Sequence, residues 1–316
     1  MTRYLAARVA GLILVLVGVA SISFVLAHAA PGDPAELFFE RANGRPPSEA
    51  QVVALRRQMG LDRPLLVQYV SWVRGAAGGD LGRSWATGQS VSRALVGSMA
   101  PTLALAIVAL ILALSIGGPL GIVAAYRPGS LVDRVSRGLA VTGTSIPSFV
   151  IGYLLIFVFA VKLRLLPVFG SGSPQHVILP AVTLALGTSG MYARLVRTTV
   201  MTALDEEYVR AAFARGLTPR AVLIRHALPN ALMPLLTVSA ISLSHLLGGA
   251  VIVEWVFSRP GLGRLAIDAI HARDYPLVQG VVLLGGAIFA SINLIVDLAY
   301  FRIDPRVRLR TGRDAS

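Results

Sequence analysis

The 316-residue sequence contains no cysteine, which excludes disulfide bonds, thiolate metal ligands and cysteine nucleophiles. Any part of the chain outside a membrane must therefore be held together by packing and hydrogen bonds. Charged residues are also scarce, because they make up 14% of the chain, whereas about a quarter is usual in soluble domains. Hydrophobic residues make up 55%. This composition indicates a membrane protein.

The sequence also lacks the motifs of several enzyme classes. It has no G-x-x-x-x-G-K-[ST] phosphate-binding loop and only one lysine, Lys162, so it cannot hydrolyse ATP by that chemistry. No H-E-x-x-H metal motif and no G-x-S-x-G nucleophile motif occur. The net charge of +13 is spread over several loops without interleaved aromatic residues, which does not favour nucleic-acid binding. We therefore expect a non-enzymatic chain without a cofactor of its own.

Long apolar runs are what the sequence does contain. About 20 apolar residues in a helix cross a bilayer. Six runs approach or exceed this length, and they predict an all-α membrane protein with six transmembrane helices: 9–29, 102–126, 138–161 with a kink at Pro147, a shorter 177–193, 231–256 and 277–301. The first run is longer than the roughly 7–15 apolar residues of a cleaved signal peptide, so we expect a retained anchor.

Residues 31–100 are more polar than the rest of the chain and predict a small helical exterior segment. Ser48 and Gln51 form a capping box that opens one helix, and Gly60 is placed to end it. Pro64 opens a second helix. A separate amphipathic stretch, 91–99, leads into the second crossing.

The positive charges predict the orientation. The short loops and termini on one side carry sixteen arginines, against five basic residues in the short loops of the other side. The long segment 31–100 contributes little to this comparison, because long loops are translocated largely regardless of charge. Both termini, and the loop 203–230, are therefore expected in the cytoplasm.

The loop 203–230 predicts two short helices joined by a tight turn. Asp205 is a suitable N-cap residue, and Gly216 is suited to end the first helix. Thr218 and Pro219 open the second helix, which Pro229 should end before the next crossing. The small residues of this loop would let another protein approach the backbone closely. The alternative is a helix pair that lies on its own membrane domain.

The pattern A-A-x-x-x-G, nine residues, then H-x-L-P resembles the "EAA" loop of ABC importer membrane subunits. Its residues are Ala211, Ala212, Gly216, His226, Leu228 and Pro229. Arg210 stands where the motif has an acidic residue, and the stretch Y-V-R-A-A is similar to the variant in dipeptide, oligopeptide and nickel permeases. The segments P-G-D-P (31–34), G-D-L-G-R-S (79–84), P-G-L-G (260–263) and R-D-Y-P-L-V-Q-G (273–280) also resemble that family, as does the ending 293–308.

This resemblance implies a type I ABC importer permease in a prokaryotic inner membrane. It implies half of a heterodimeric pore, two cytoplasmic ATPase subunits that hold ATP and Mg²⁺, an exterior substrate-binding protein, and peptides as cargo. The expected parts are 1–30 (first helix), 31–100 (exterior segment), 101–302 (core with coupling loop 203–230) and 303–316 (tail). The residues expected to couple to the ATPases are Glu206, Glu207, Tyr208, Arg210, Ala211, Ala212, Arg215, Gly216, Leu228 and Pro229.

Two further groups of residues are candidate sites. His245, Ser242 and Asn293 lie at membrane depth, where polar groups are costly and often functional, so we expect them in the translocation path. A hydrogen bond from His245 to a neighbouring helix is the alternative. An exterior gate or a contact with the binding protein is expected at Pro260, Gly261, Gly263, Arg273, Asp274 and Tyr275.

Two other functions stay open at the level of the sequence. A nickel permease of the same family would have the same motifs. A transporter driven by an ion gradient would usually contain inverted repeats and discontinuous crossings, and no convincing repeat is present.

Overall fold

The computed structural model describes residues 2–29 and 31–303, and helices account for most of them. In this part of the chain there is no β-strand. The helices are α1 (Thr2–Ala29), α2 (Pro34–Asn43), α3 (Glu49–Met59), α4 (Leu65–Ala77), α5 (Val91–Tyr126), α6 (Leu131–Ser145), α7 (Ser148–Leu155), α8 (Gln175–Asp205), α9 (Glu207–Ala214), α10 (Pro219–Val222), α11 (Leu228–Val256), α12 (Leu262–Ala272) and α13 (Tyr275–Ile303). Short π-helical stretches follow α7, over Ile156–Lys162, and α10, over Leu223–Ala227.

Five described helices are long and apolar enough to cross a membrane: α1, α5, α8, α11 and α13. The third predicted crossing is not one kinked helix. It is a pair, α6 and the helix that begins at Ser148, bent by 110°. The reason is Pro147, whose ring disfavours a helical conformation at the preceding residue, and Ile146 is indeed extended. Counting the pair as one crossing gives the expected six.

Several helix boundaries differ from those predicted. The stretch 91–99 is not separate, because α5 runs without interruption from Val91 through Pro101 and Pro119. The fourth crossing continues twelve residues beyond Ala193, as far as Asp205. Hydropathy marks where lipid contact ends, whereas a helix can continue into water when side chains still pack on it. The predicted tail 303–316 lies, apart from Ile303, outside the described residues.

The chain divides into two compact units, of which residues 101–260 form one. Its most enclosed long helix is α8, which packs against α5 and α6 through small residues. A Cβ at Gly121 of α5 would lie 2.6 Å from the Ala193 carbonyl oxygen, and Gly143 of α6 meets Gly187 of α8 backbone to backbone. Close backbone approach through small residues is a common way for membrane helices to associate.

The other unit joins residues before 101 to those after 260. Here α1 packs along α13, with Val19 against Gly286. The capping box of Ser48 and Gln51 and the left-handed Gly60 are present as predicted. The structure adds a helix that was not predicted, α2, which Asp33 caps through the Ala35 amide at 2.9 Å. The Asp-Pro start of α2 in the sequence was the signal for it.

Candidate functional site

The loop 203–230 contains the helix–turn–helix that the sequence predicts, with its start shifted by one residue. Asp205 is the last residue of α8, and the extended Glu206 occupies the N-cap position of α9 without a side-chain capping bond. Asp205 as the N-cap was therefore wrong. Glu206 and Glu207 still place two negative charges at the amino end of α9, where the helix dipole stabilises them.

Gly216 ends α9 in a two-bond motif. Its backbone is left-handed, with φ +81°, and its amide donates to the Phe213 carbonyl at 2.9 Å. The next amide, of Leu217, donates to the Ala212 carbonyl at 3.3 Å. This is the Schellman arrangement, which favours glycine because a side chain is disfavoured at positive φ. Thr218 then caps α10 by accepting from the Ala221 amide at 3.4 Å.

The inner face of the pair is a small apolar core. Val209, Ala212 and Val222 are buried, and Leu204 and Leu217 pack against them. Ala212 is only 4% exposed, so it does not belong to the outward small-residue surface that the sequence suggested. Its small size instead lets α9 lie close to α10.

The outer face of α9 consists of exposed residues that lie within about one third of its circumference: Glu207, Arg210, Ala211 and Ala214. Ala214, which was not predicted, is the second small residue beside Ala211. Arg215 and Gly216 are exposed at the carboxyl end, and the rings of Tyr208 and Phe213 are exposed at the two flanks. The result is a surface of short alanine side chains, bordered by two aromatic rings and by charges of both signs.

This helix pair is joined to two long helices with little intervening loop. One residue, Glu206, separates α8 from α9. At the other end, α10 continues through the π-helical turns directly into α11, so the prediction that Pro229 ends a separate helix was wrong. Leu228 and Pro229 are the first two residues of α11. Because the helix is continuous at this point, Pro229 has no amide to donate to the preceding turn.

Contacts beneath the loop hold it in place. Asn230 donates to the Tyr208 hydroxyl at 3.2 Å and to the His226 carbonyl at 3.0 Å, which ties α9 to the start of α11. An apolar cluster joins the ends of α5, α8 and α11: Ala125, Val196, Val200, Ala203, Ala227 and Ala231. The buried Asp133 accepts from Arg197 at 2.7 Å and from the Gly129 amide at 2.9 Å, which fixes α8 to the start of α6.

In the stretch 260–275, Asp274 is an internal anchor. It is 1% exposed, and its carboxylate accepts from the Ser84 hydroxyl and from the amides of Trp85 and Ala86, both at 3.2 Å. It also accepts from the Leu277 amide at 3.3 Å in the first turn of α13. Four donors of its own chain thus occupy the Asp274 carboxylate, which holds the segment 84–86 on α13.

The other residues of this stretch differ in exposure. Gly261 and Gly263 are buried at the start of α12, Tyr275 is buried at the start of α13, and Pro260 is exposed. Arg273 ends α12 in the left-handed region, with φ 52°, and donates to the Pro31 carbonyl. Of this group, Pro260 and Arg273 offer side chains at the surface.

The residues expected in the translocation path lie on two helices. On α11, His245 is exposed, whereas Ser242 and Ser244 are buried. On α13, Asn293 donates to the Phe289 carbonyl of its own helix at 3.0 Å. Sequence reasoning did not select Glu254 as a path residue, although it is fully buried on α11 and accepts from Thr102 at 2.6 Å. No cluster of three potential metal ligands occurs among the described residues.

Long apolar helices, packed through small residues and joined by a short helix pair, are the architecture of a multi-pass membrane protein. The chain belongs to the family described as binding-protein-dependent transport system inner membrane component, which residues 117–309 match. Residues 1–106 match the N-terminal part described for such membrane components. The chain is therefore a permease subunit of an ABC importer, and membership implies a partner permease and separate ATPase subunits.

Curated relatives match over almost their whole length. A probable peptide ABC transporter permease protein, y4tP of Sinorhizobium fredii, is 41% identical over 313 residues, which cover 96% of this chain and 99% of the relative. The glutathione transport system permease protein GsiC of Escherichia coli K12 is 40% identical over 98% of this chain and 100% of its own. The GsiC protein of Salmonella typhi is 41% identical over the same shares.

Solved structures agree with the fold. An amino acid ABC transporter, determined with histidines, aligns with a TM-score of 0.56 at 17% identity and covers 67% of this chain and 95% of its own. The inward-facing MetNI methionine ABC transporter aligns with a TM-score of 0.55 at 21% identity, over 66% of this chain and 95% of its own. The predicted all-α fold of a type I importer permease is thereby confirmed.

Proposed function

We propose that this chain forms half of a heterodimeric channel that imports di- or oligopeptides into a prokaryotic cell. Support for the cargo comes from relatives whose names include peptide and glutathione transport, because glutathione is itself a small peptide. An exterior substrate-binding protein would deliver the peptide. The side chains of Pro260 and Arg273 are the surface positions of the stretch 260–275 at which that protein would dock.

The observation that carries the proposal is the exposed outer face of α9. An ATPase subunit would bind at this surface and push on it. ATP and Mg²⁺ would be held by the ATPase subunits, outside this chain. Closure of the ATPase pair would move α9, and α9 would carry the ends of α8 and α11 with it. Such a step shifts the population between inward-open and outward-open packings, so the ATPases must bind the two packings with different affinity.

The exposed His245 supports a path along α11. An ionisable side chain that points away from its own chain at membrane depth is costly against lipid, so we place it against the partner permease or the water-filled pore. Ser242, which is buried on the same helix, would act from behind that surface. Asn293 bonds its own helix, α13, and would contribute to the path from there. The orientation proposed from the arginines puts both termini and the coupling loop 203–230 in the cytoplasm.

The experiment is to enlarge one exposed alanine of α9 in the assembled transporter. Ala211→Trp should obstruct the groove of the ATPase, so ATP-driven peptide uptake into proteoliposomes should fall about tenfold or more, as a lost contact of ~1.4 kcal/mol or more would produce. ATPase subunits should also be lost during purification, while the permease still inserts in the membrane.

The matched control is Ala54→Trp, an exposed alanine on α3 in the segment 31–100, which should leave uptake unchanged. Normal uptake by Ala211→Trp would refute the docking role of α9. Uptake of peptide by the permease pair without ATPase subunits would refute the proposed function as a whole.

A further inference from the structure

Helix α4 has an apolar face that the described chain covers only in part. No residue of its 13 is buried, although most of them are apolar. Leu65, Leu66 and Val70 are among the most exposed apolar side chains of this unit, with Leu66 at 73%. At 100° per residue these three share one face with Tyr69 and Val73. A soluble helix would bury such a face, so this face must have another apolar environment.

Specific contacts fix α4 along the last two turns of α1. The Ser21 and Tyr69 hydroxyls are hydrogen-bonded at 2.7 Å, and His28 is 3.2 Å from the Gln68 side-chain oxygen. The Phe24 ring stacks on His28, with centroids 4.1 Å apart, and meets the edge of Tyr69 at 5.3 Å. Because α1 crosses the membrane, these contacts also determine how deep α4 lies.

The depth follows from the length of α1. Its apolar stretch, Ala6–Ala29, has 24 residues, which as a helix measures about 36 Å and exceeds a hydrocarbon core of about 30 Å. With this stretch centred in the bilayer, residues 21–28 therefore occupy about the outermost 10 Å of the acyl region and reach its boundary with the headgroups at His28. Ile22, Val25 and Leu26 are exposed on this part of α1. Val25 adjoins the apolar face of α4, so the two surfaces are continuous.

A groove of about 520 Å³ lies between the two helices and is almost entirely apolar. Phe24, Val25, Leu65 and Leu66 line it. The hydroxyl groups in this groove belong to Ser21 and Tyr69. They are hydrogen-bonded to each other, so they do not require a polar ligand. An acyl chain is the apolar molecule that surrounds α1 at this level.

We propose that α4 lies in the membrane interface beside the carboxyl end of α1, with Leu65, Leu66 and Val70 among acyl chains and a lipid chain in the groove. Helices of this kind bury their apolar face about 5–10 Å into the boundary region. Arg63 and Arg74, exposed at the two ends of α4, reach the phosphate level. The segment 31–100 is thus anchored in lipid as well as joined to α1.

Spin labels test this directly, because a chain without cysteine accepts a single introduced cysteine. The variants are Leu66→Cys on the apolar face, Ser71→Cys on the opposite face, and Leu14→Cys on the exposed middle of α1 as a lipid reference. In the assembled transporter in nanodiscs, collisions with oxygen and with a water-soluble nickel chelate are compared. The ratio of oxygen to nickel collisions at Leu66 should approach that at Leu14 and exceed that at Ser71 several-fold.

Two results would overturn the proposal. Equal nickel access at Leu66 and Ser71 would place α4 in water. A label at Leu66 that is immobile and shielded from both reagents would show that a protein covers this face. Neither result concerns α9, so the proposed function is tested separately.

Discussion

Gly216 and Asp274 each hold a turn through backbone hydrogen bonds. Gly216 adopts a left-handed conformation that ends α9, and Asp274 gathers one hydroxyl and three amides around a buried carboxylate. Neither residue needs to touch a partner for its loss to matter. The consequences of replacing Gly216 or Asp274 can therefore be predicted from this chain alone.

Replacing Gly216 should affect the turn through backbone strain. No atom lies within 4 Å of a Cβ built at this position, so a side chain has room. Gly216→Val should nevertheless cost about 1–2 kcal/mol, because a residue with a Cβ is disfavoured in the left-handed region. The Leu217 amide, which is bonded across the turn, should exchange with deuterium roughly tenfold faster.

Gly216→Asn is the matched control, since asparagine is similar in size to valine but tolerates positive φ. It should retain near-normal exchange at Leu217 and near-normal ATP-driven uptake. If Gly216→Val and Gly216→Asn have the same effect, the left-handed backbone at residue 216 is not what makes glycine necessary there.

Asp274→Asn should loosen the segment 84–86. An amide group in place of one carboxylate oxygen turns its own N–H groups toward backbone N–H groups, which loses about 2–3 kcal/mol of hydrogen bonding to a charged acceptor. Trypsin should then cleave after the exposed Arg83 much faster than in the unchanged protein.

Asp268→Asn provides the comparison on the neighbouring helix α12. Asp268 is exposed and lies 3.6 Å from Arg264, a surface pair worth about 0–1 kcal/mol. Cleavage after Arg83 should not change in this variant. An equal effect of both substitutions would contradict the anchoring role of Asp274.

At the scale of the helix, α8 depends on glycines of its neighbours. Gly121→Ala would place a Cβ 2.6 Å from the Ala193 carbonyl oxygen and 2.7 Å from the Val196 Cβ, so α5 and α8 must separate. We expect a loss of about 1–3 kcal/mol, measured as a lower melting temperature in detergent.

Gly118→Ala is made three residues away on the same helix, where no atom lies within 4 Å of the added Cβ. Alanine favours helix over glycine by about 1 kcal/mol, so this change should be neutral or stabilising. The opposite signs of the two changes distinguish packing from helix propensity.

The sequence predicted the helices better than their limits. Apolar runs locate each crossing because lipid contact requires them, but a helix such as α8 continues to Asp205, beyond its apolar run. The kink at Pro147 was visible, whereas the 110° bend was not, because the direction of the following helix depends on tertiary packing. The G-x-x-x-G pattern at 117–121 was a readable signal in the sequence for the close packing of α5 on α8.

The sequence predicted which residues form the two short helices of the site, but not which of these residues face outward. Gly216 marked the end of α9 and Thr218 the start of α10, whereas the N-cap of α9 lies one residue after the predicted one. Which alanines face outward depends on Val209 and Val222 packing together, a contact between helices that periodicity over two turns cannot specify. Ala212 therefore turned out to be internal, and Ala214 took its place on the outer face.

At the scale of the whole molecule, the proposed orientation can be tested with single cysteines in intact cells. Ala54→Cys, in the segment 31–100, should react with a membrane-impermeant maleimide added outside. Ala214→Cys, on α9, expressed without the ATPase subunits that would cover it, should react only after the inner membrane is permeabilised, because the arginine-rich loops stay in the cytoplasm.

The unchanged chain is the control, since it has no thiol to react. Labelling of Ala214→Cys from outside would reverse the proposed topology. It would also remove α9 from the compartment that contains ATP, and with it the proposed motor contact.

The loop 203–230 contains almost no flexible linker. One residue separates α8 from α9, and α10 continues without a break into α11. A flexible tether would dissipate a small displacement as random motion before it reached the membrane. Here a shift of a few ångströms at α9 must reappear as an axial or rotational shift of two long helices. Inserting a few glycines at Glu206 would therefore uncouple fuel consumption from cargo movement while leaving both partners assembled.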